Sequence, residues 1–237
     1  MHKVLSTKKL EPLLLEKARE KGIEIIEKEF IKVSFLGNKK KFREIVKLAG
    51  RGIEHVVFTS ANAVAALDQQ MEVGGNYYSI DTKMFCLSGK TKESILKGSV
   101  IGKQIVGEAE NASLLAKEII DKGVKEVVFF CGNKRREELS KLLSEAGVKV
   151  HQVEVYETME APVKVNEDVE GVLFFSPSAV KSFFKVNELK EKIVCFAIGQ
   201  TTADSIAEHT RNKVIVSEFP SQEQMLDIAA AYFKNNN

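Results

Sequence analysis

The sequence predicts an α/β protein of two similar domains, each a parallel sheet flanked by helices. Two observations carry this expectation. Short apolar runs bounded by turn residues alternate with segments of helical period, the pattern of parallel strands joined by helical crossovers. Stretches of the first half also recur, in order, in the second half, which marks an internal duplication of domain-sized units.

Taken in order, Lys3–Ser6 reads as a strand and Leu10–Lys21 as a helix with Leu14, Leu15 and Ala18 on one face. Gly22 closes that helix, and Ile23–Val33 reads as one second strand. The same order returns later: strand Glu126–Cys131, helix Arg135–Ala146, closing Gly147 and an extended run Val148–Tyr156. Gly22 and Gly147 are 125 positions apart, as are Ser6 and Cys131. Val56–Val64 matches Val172–Val180 at an offset of 116, and Phe85–Ile95 matches Phe196–Ile206 at 110 for the Gly89 and Gly199 turns. The helices near Glu108–Ile120 and Glu218–Phe233 match at 111. The drift in offset is what loops of unequal length produce. Lys32–Gly37 and Tyr156–Pro162 read as equivalent linkers.

The 237 residues are 44% hydrophobic and 29% charged, enough for real cores in one or two domains. A net charge of +2 without a basic run argues against a nucleic-acid partner, and no apolar stretch is long enough to imply a membrane partner. The start lacks an apolar signal core, so a cytoplasmic location is expected. Cys86, Cys131 and Cys195 sit in apolar, strand-like runs and read as reduced core thiols. His2, His55, His151 and His209 are dispersed, and no metal-ligand spacing occurs.

In open parallel sheets, ligands bind beyond the carboxyl ends of the strands. The turns at Ser60, Gly89, Ser176 and Gly199 all have that position, with hydroxyls on Ser60, Thr91, Ser176, Ser178, Thr201 and Thr202. Backbone N–H groups and helix N-termini there suit carboxylate or phosphate, although Ser and Thr also serve simply as helix caps. Both readings stand at this level. Gly132-Asn133-Lys134-Arg135-Arg136 adds a cationic junction, either an anion site or a solvated helix start. Ser88-Gly-Lys-Thr91 lacks the upstream glycine of a phosphate loop. Tyr156 falls opposite Ile31 in the duplication, so it has no polar twin. A phenol there is either a packed strand end with a wet tip or a hydrogen-bond donor and acid.

Val56–Val64, Phe130-Cys-Gly-Asn133 with its helix, Glu154–Thr158, Phe174–Ser178 and Ala197–Ala203 together resemble uroporphyrinogen-III synthases. The resemblance spans nearly the whole chain and implies two α/β domains joined by a two-stranded linker. Residues 1–34 would join 161–237 in one domain, and 37–155 would form the other. The implied reaction is cofactor-free cyclisation of hydroxymethylbilane, with loss of water and inversion of ring D through a spiro intermediate. The family's linker tyrosine matches Tyr156, implied to assist hydroxyl departure or ring positioning. Its cleft threonines match Thr91 and Thr201/Thr202, and its strand-end serines match Ser60 and Ser176. With Gly89, Gly132, Asn133, Ser178 and Gly199, these turns would hold the eight substrate carboxylates. A monomer is the family expectation. The chain departs from the family at Ser6-Thr7-Lys8-Lys9, where Thr-Arg-Pro is usual; Lys8 keeps the charge and loses the planar fork. Lys92 and Gln200 are further departures. The alternative is a non-enzymatic two-domain clamp for an anionic metabolite.

Overall fold

Eleven strands and eight helices are seen in a computed structural model that describes residues 1–37, 43, 47, 53–73, 83–98 and 104–236. The chain divides into two compact units: unit 1, Met1–Lys32 with Met159–Asn237, and unit 2, Val33–Thr158. The strands are β1 His2–Ser6, β2 Ile23–Glu27, β3 Ile31–Phe35, β4 His55–Phe58, β5 Lys83–Leu87 and β6 Ile105–Ala109. They continue as β7 Glu126–Gly132, β8 Lys149–Glu160, β9 Gly171–Phe174, β10 Val194–Ala197 and β11 Val214–Val216. The helices are α1 Pro12–Glu20, α2 Ala61–Val73, α3 Lys90–Lys97 and α4 Ala112–Asp121. After them come α5 Glu138–Glu145, α6 Pro177–Phe184, α7 Gln200–Ala207 and α8 Gln222–Asn235.

Unit 1 carries a five-stranded parallel sheet in the order β11-β10-β9-β1-β2. Its central strands β9 and β10 are buried at every residue, as a parallel sheet covered on both faces requires. Alternate side chains feed two cores. Leu5, Val172, Phe174 and Cys195 face one with Val180 and Phe183 of α6. Val4, Leu173, Val194 and Phe196 face the other with Leu14 of α1 and Met225 of α8.

Unit 2 repeats the scheme. Its sheet has the order β3-β8-β7-β4-β5-β6, and β8-β7-β4-β5-β6 are parallel. Val56, Phe58, Met84 and Phe130 face one core with Val64 and Leu67 of α2. Val57, Phe85, Val127 and Phe129 face the other with Leu115 and Ile119 of α4 and Leu139 of α5. Written in the same direction, β2-β1-β9-β10-β11 and β8-β7-β4-β5-β6 place β2, β1, β9 and β10 in the same order as their sequence matches β8, β7, β4 and β5. Gly22 and Gly147 adopt the same left-handed φ, 78° and 77°, just beyond α1 and α5.

The structure differs from the sequence expectation in two places. The single strand expected over Ile23–Val33 is two, interrupted at Lys28–Phe30. Phe30 is fully buried in a core of unit 1, and β3 then lies at the edge of the other sheet, against β8. Leu36 N–H donates to Val155 O at 2.8 Å and Ala161 N–H to Phe30 O at 2.9 Å. Those bonds advance in opposite senses along the two strands, so this pairing is antiparallel. The helix expected from Arg135 starts at Glu138, because Asn133 and Arg135 are held by β8 instead.

Candidate active site

The carboxyl ends of the unit 2 strands enclose a cavity of about 350 Å³. Ser60 follows β4, Asn111 follows β6, Gly132 ends β7, and Tyr156 reaches in from β8. Ser60, Asn111 and Gly132 are where they are because an apolar strand ends in a polar turn that leads to a helix, whereas Tyr156 lies within β8. Asn111 caps α4, its Oδ1 accepting from Leu114 N–H at 2.9 Å. Ser60 Oγ accepts from Asn62 N–H at 3.2 Å as α2 begins.

Tyr156 is half-buried and directs its phenol toward Ser60, donating to Ser60 Oγ at 3.1 Å. The β7–β8 register shifts between Cys131 and Gly132, so Glu154 pairs with Cys131 and Tyr156 with Gly132. Such an irregularity re-aims a side chain at a strand end. The backbone here is clamped by Asn133, whose N–H donates to Tyr156 O at 3.3 Å. Its side chain accepts from Thr158 N–H at 2.8 Å and donates to Thr158 O at 3.5 Å. Arg135 lines the same cavity, its guanidinium 2.7 Å from Glu154 and 3.3 Å from Glu137. Its buried Nε finds no acceptor among the described residues.

Of the residues expected in unit 2, Tyr156, Ser60 and Gly132 thus meet in one place. Gly89 sits beyond β5, exposed, with φ +71°, and Thr91 is only 6% exposed. Neither lines the cavity. In unit 1, Ser176, Ser178, Gly199 and Thr201 gather beyond the neighbouring strands β9 and β10. Ser176 caps α6, accepting from Ala179 N–H at 3.1 Å. Thr201 is exposed, whereas Thr202 is 2% exposed and its N–H donates to Gly199 O at 3.0 Å. Of that pair, Thr201 is the one presented to solvent. Lys8, beyond β1, places its ammonium 5.3 Å over the Phe175 ring, a cation–π contact.

Sequence reasoning missed Asn111. Its signal was available: Asn111 and Ser221 are separated by 110, the offset of the Gly89 and Gly199 turns, and Ser221 caps α8 in the same way.

A family model described as uroporphyrinogen-III synthase HemD matches residues 13–227. The fold is similar to that of a uroporphyrinogen-III synthetase from Helicobacter pylori. The two share 19% identity at a TM-score of 0.70, over 98% of this chain and 100% of that one. It is also similar to a mutant uroporphyrinogen III synthase from Thermus thermophilus. There the identity is 13% and the TM-score 0.67, over 99% of this chain and 98% of the other. At such identities these likenesses are of fold. No curated protein sequence matches the chain.

Proposed function

The chain belongs to the uroporphyrinogen-III synthase family, and from that premise we propose that Tyr156 is its catalytic residue. The family's activity is that of a cyclising lyase of tetrapyrrole and heme biosynthesis. It converts linear hydroxymethylbilane to uroporphyrinogen III with loss of water and inversion of ring D. The observation that carries the role of Tyr156 is its phenol, held by Ser60 in a cavity at the carboxyl ends of the unit 2 strands.

The carbon–oxygen bond of the hydroxymethyl group breaks with its electron pair going to oxygen. The phenol hydrogen that Ser60 accepts in the free protein is the proton offered to that oxygen, which departs as water. The cation left on the methylene carbon is attacked by ring D, giving the spiro intermediate on the way to the inverted ring. The proton that ring D releases on closure restores the phenol. Most of the rate then comes from holding a flexible chain with its ends together. The turns at Gly89, Thr91 and Asn133 in unit 2 would grip substrate carboxylates, as would those at Ser176, Ser178, Gly199, Thr201 and Thr202 in unit 1. Backbone N–H groups and helix starts supply the complementary charge. We take units 1 and 2 as the two domains, β3 and β8 as the linker strands, and the chain as an internally duplicated, cytoplasmic monomer.

The test couples the protein to porphobilinogen and its deaminase, oxidises the products and resolves porphyrin isomers. Isomer III is expected with the wild-type chain. The Tyr156→Phe variant should lose turnover by about tenfold or more while keeping its unfolding midpoint. Isomer I alone from the wild type would leave a binding protein rather than a synthase, and a wild-type rate from Tyr156→Phe would return Tyr156 to packing.

A further inference from the structure

Gly132 and Ser60 lie on different strand ends, yet both meet one side chain. A Cβ at Gly132 would lie 2.4 Å from Tyr156 Cζ, 2.5 Å from Cε2 and 2.9 Å from the phenol oxygen. No side chain tolerates that approach unless the ring moves. Gly132 is not one of the glycines with positive φ, so its backbone does not demand glycine; the ring does. The phenol end is fixed separately. Ser60 Oγ accepts from Tyr156 O–H at 3.1 Å and from Asn62 N–H at 3.2 Å, which ties the phenol to the first turn of α2. On the strand, Asn133 fixes the backbone of Tyr156 and Thr158. Ring plane, main-chain position and O–H direction are therefore each set by a different residue.

We propose that Ser60 and Gly132 act through Tyr156, as positioning residues, rather than by gripping a substrate carboxylate. The inference rests on the reading of Tyr156 as the proton donor. Ser60 Oγ accepts from both Tyr156 O–H and Asn62 N–H, so its position is set by the phenol and the first turn of α2, and the face of Gly132 is covered by the ring. Displacing a proton donor by about an ångström is enough to remove most of its effect.

The experiment compares Ser60→Ala, Ser60→Thr and Gly132→Ala in the wild-type and Tyr156→Phe backgrounds. Ser60→Ala is expected to lower kcat about tenfold, the scale of one hydrogen bond, with KM held within about twofold. Ser60→Thr keeps the hydroxyl and recovers most of the rate. In the Tyr156→Phe background, adding Ser60→Ala costs far less than it does in the wild type. A second readout reports position directly. The chain has four tyrosines and no tryptophan, so fluorotyrosine labelling gives few fluorine resonances, and the one lost in Tyr156→Phe identifies itself. That resonance should move in Ser60→Ala and Gly132→Ala while the other three stay.

A Tyr156 resonance unmoved in both variants overturns the inference. So does a KM increase from Ser60→Ala that is equal in the two backgrounds, which would make Ser60 a substrate contact. A wild-type rate from Tyr156→Phe alone is a separate failure, visible before any Ser60 or Gly132 variant is made, and it removes both readings.

Discussion

Burial separates the three thiols from the phenol of the cavity. Cys86, Cys131 and Cys195 are outside any disulfide and buried in strands. Burial, with Glu108 adding to it, pushes the Cys86 thiol up to about 11, and burial alone pushes Cys195 up to about 12. The thiolate is the reactive form. The native chain should therefore show almost no reaction with Ellman's reagent near pH 8, and three thiols should react after denaturation. The sign for stability follows. From the ordinary value of 9.0 up to about 12, the folded chain keeps the Cys195 proton that the unfolded chain loses, so stability falls as pH rises through that range. Urea unfolding between pH 8 and 11 checks it, with Cys195→Ala expected to flatten the slope. Tyr156 stands apart because it is only half-buried and its polar end meets another hydroxyl. Its unpaired place in the duplication was legible in the sequence. Its partners were not, since Ser60 lies 96 positions away.

At the scale of elements, equivalent turns turn out to be built differently. Gly89 and Gly199 both precede a helix and align in the duplication. Gly89 has φ +71°, whereas Gly199 has φ 178°, extended backbone open to any residue. Neither would meet anything within 4 Å on gaining a Cβ, so backbone conformation alone separates them. Gly89→Ala should cost about 1–3 kcal/mol, and Gly199→Ala less than about 1 kcal/mol, both read from urea midpoints at constant slope. The Ser176 cap was legible because a cap is a local device, and the caps Asn111 and Ser221, which the sequence reading missed, are of the same kind: each of the three accepts from a backbone N–H three residues on. The start of α5 was not. Helical period continues back to Arg135, but Asn133 bonds to Thr158 and Arg135 to Glu154, and those contacts hold the chain in a turn until Glu138.

For the whole molecule, the strand order decides which pieces of chain can stand alone. β1 pairs with β9 and β2, so the five-stranded sheet is assembled from both ends of the chain. Expressed alone, residues 33–158 should fold cooperatively, because both faces of their sheet carry their own core. Residues 159–237 alone would expose the β9 edge and the cores that Val4, Leu5 and Leu14 complete, and should stay unfolded or aggregate. Circular dichroism and amide dispersion of the two fragments check this; a folded 159–237 fragment would contradict the role given to β1. Among the described residues no helix is long and apolar enough to cross a membrane. By itself the sequence determined the α/β class and the strand ends where polar turns collect, because apolar period and turn chemistry act over a few neighbouring residues. Only the tertiary structure decided that the chain after β2 pairs as β3 at the edge of the other sheet, that Gly132 is small on account of Tyr156, and that Ser60 receives the phenol. Those depend on hydrogen bonds and contacts between distant residues, and on a register shift of one residue at Gly132, which no local propensity encodes.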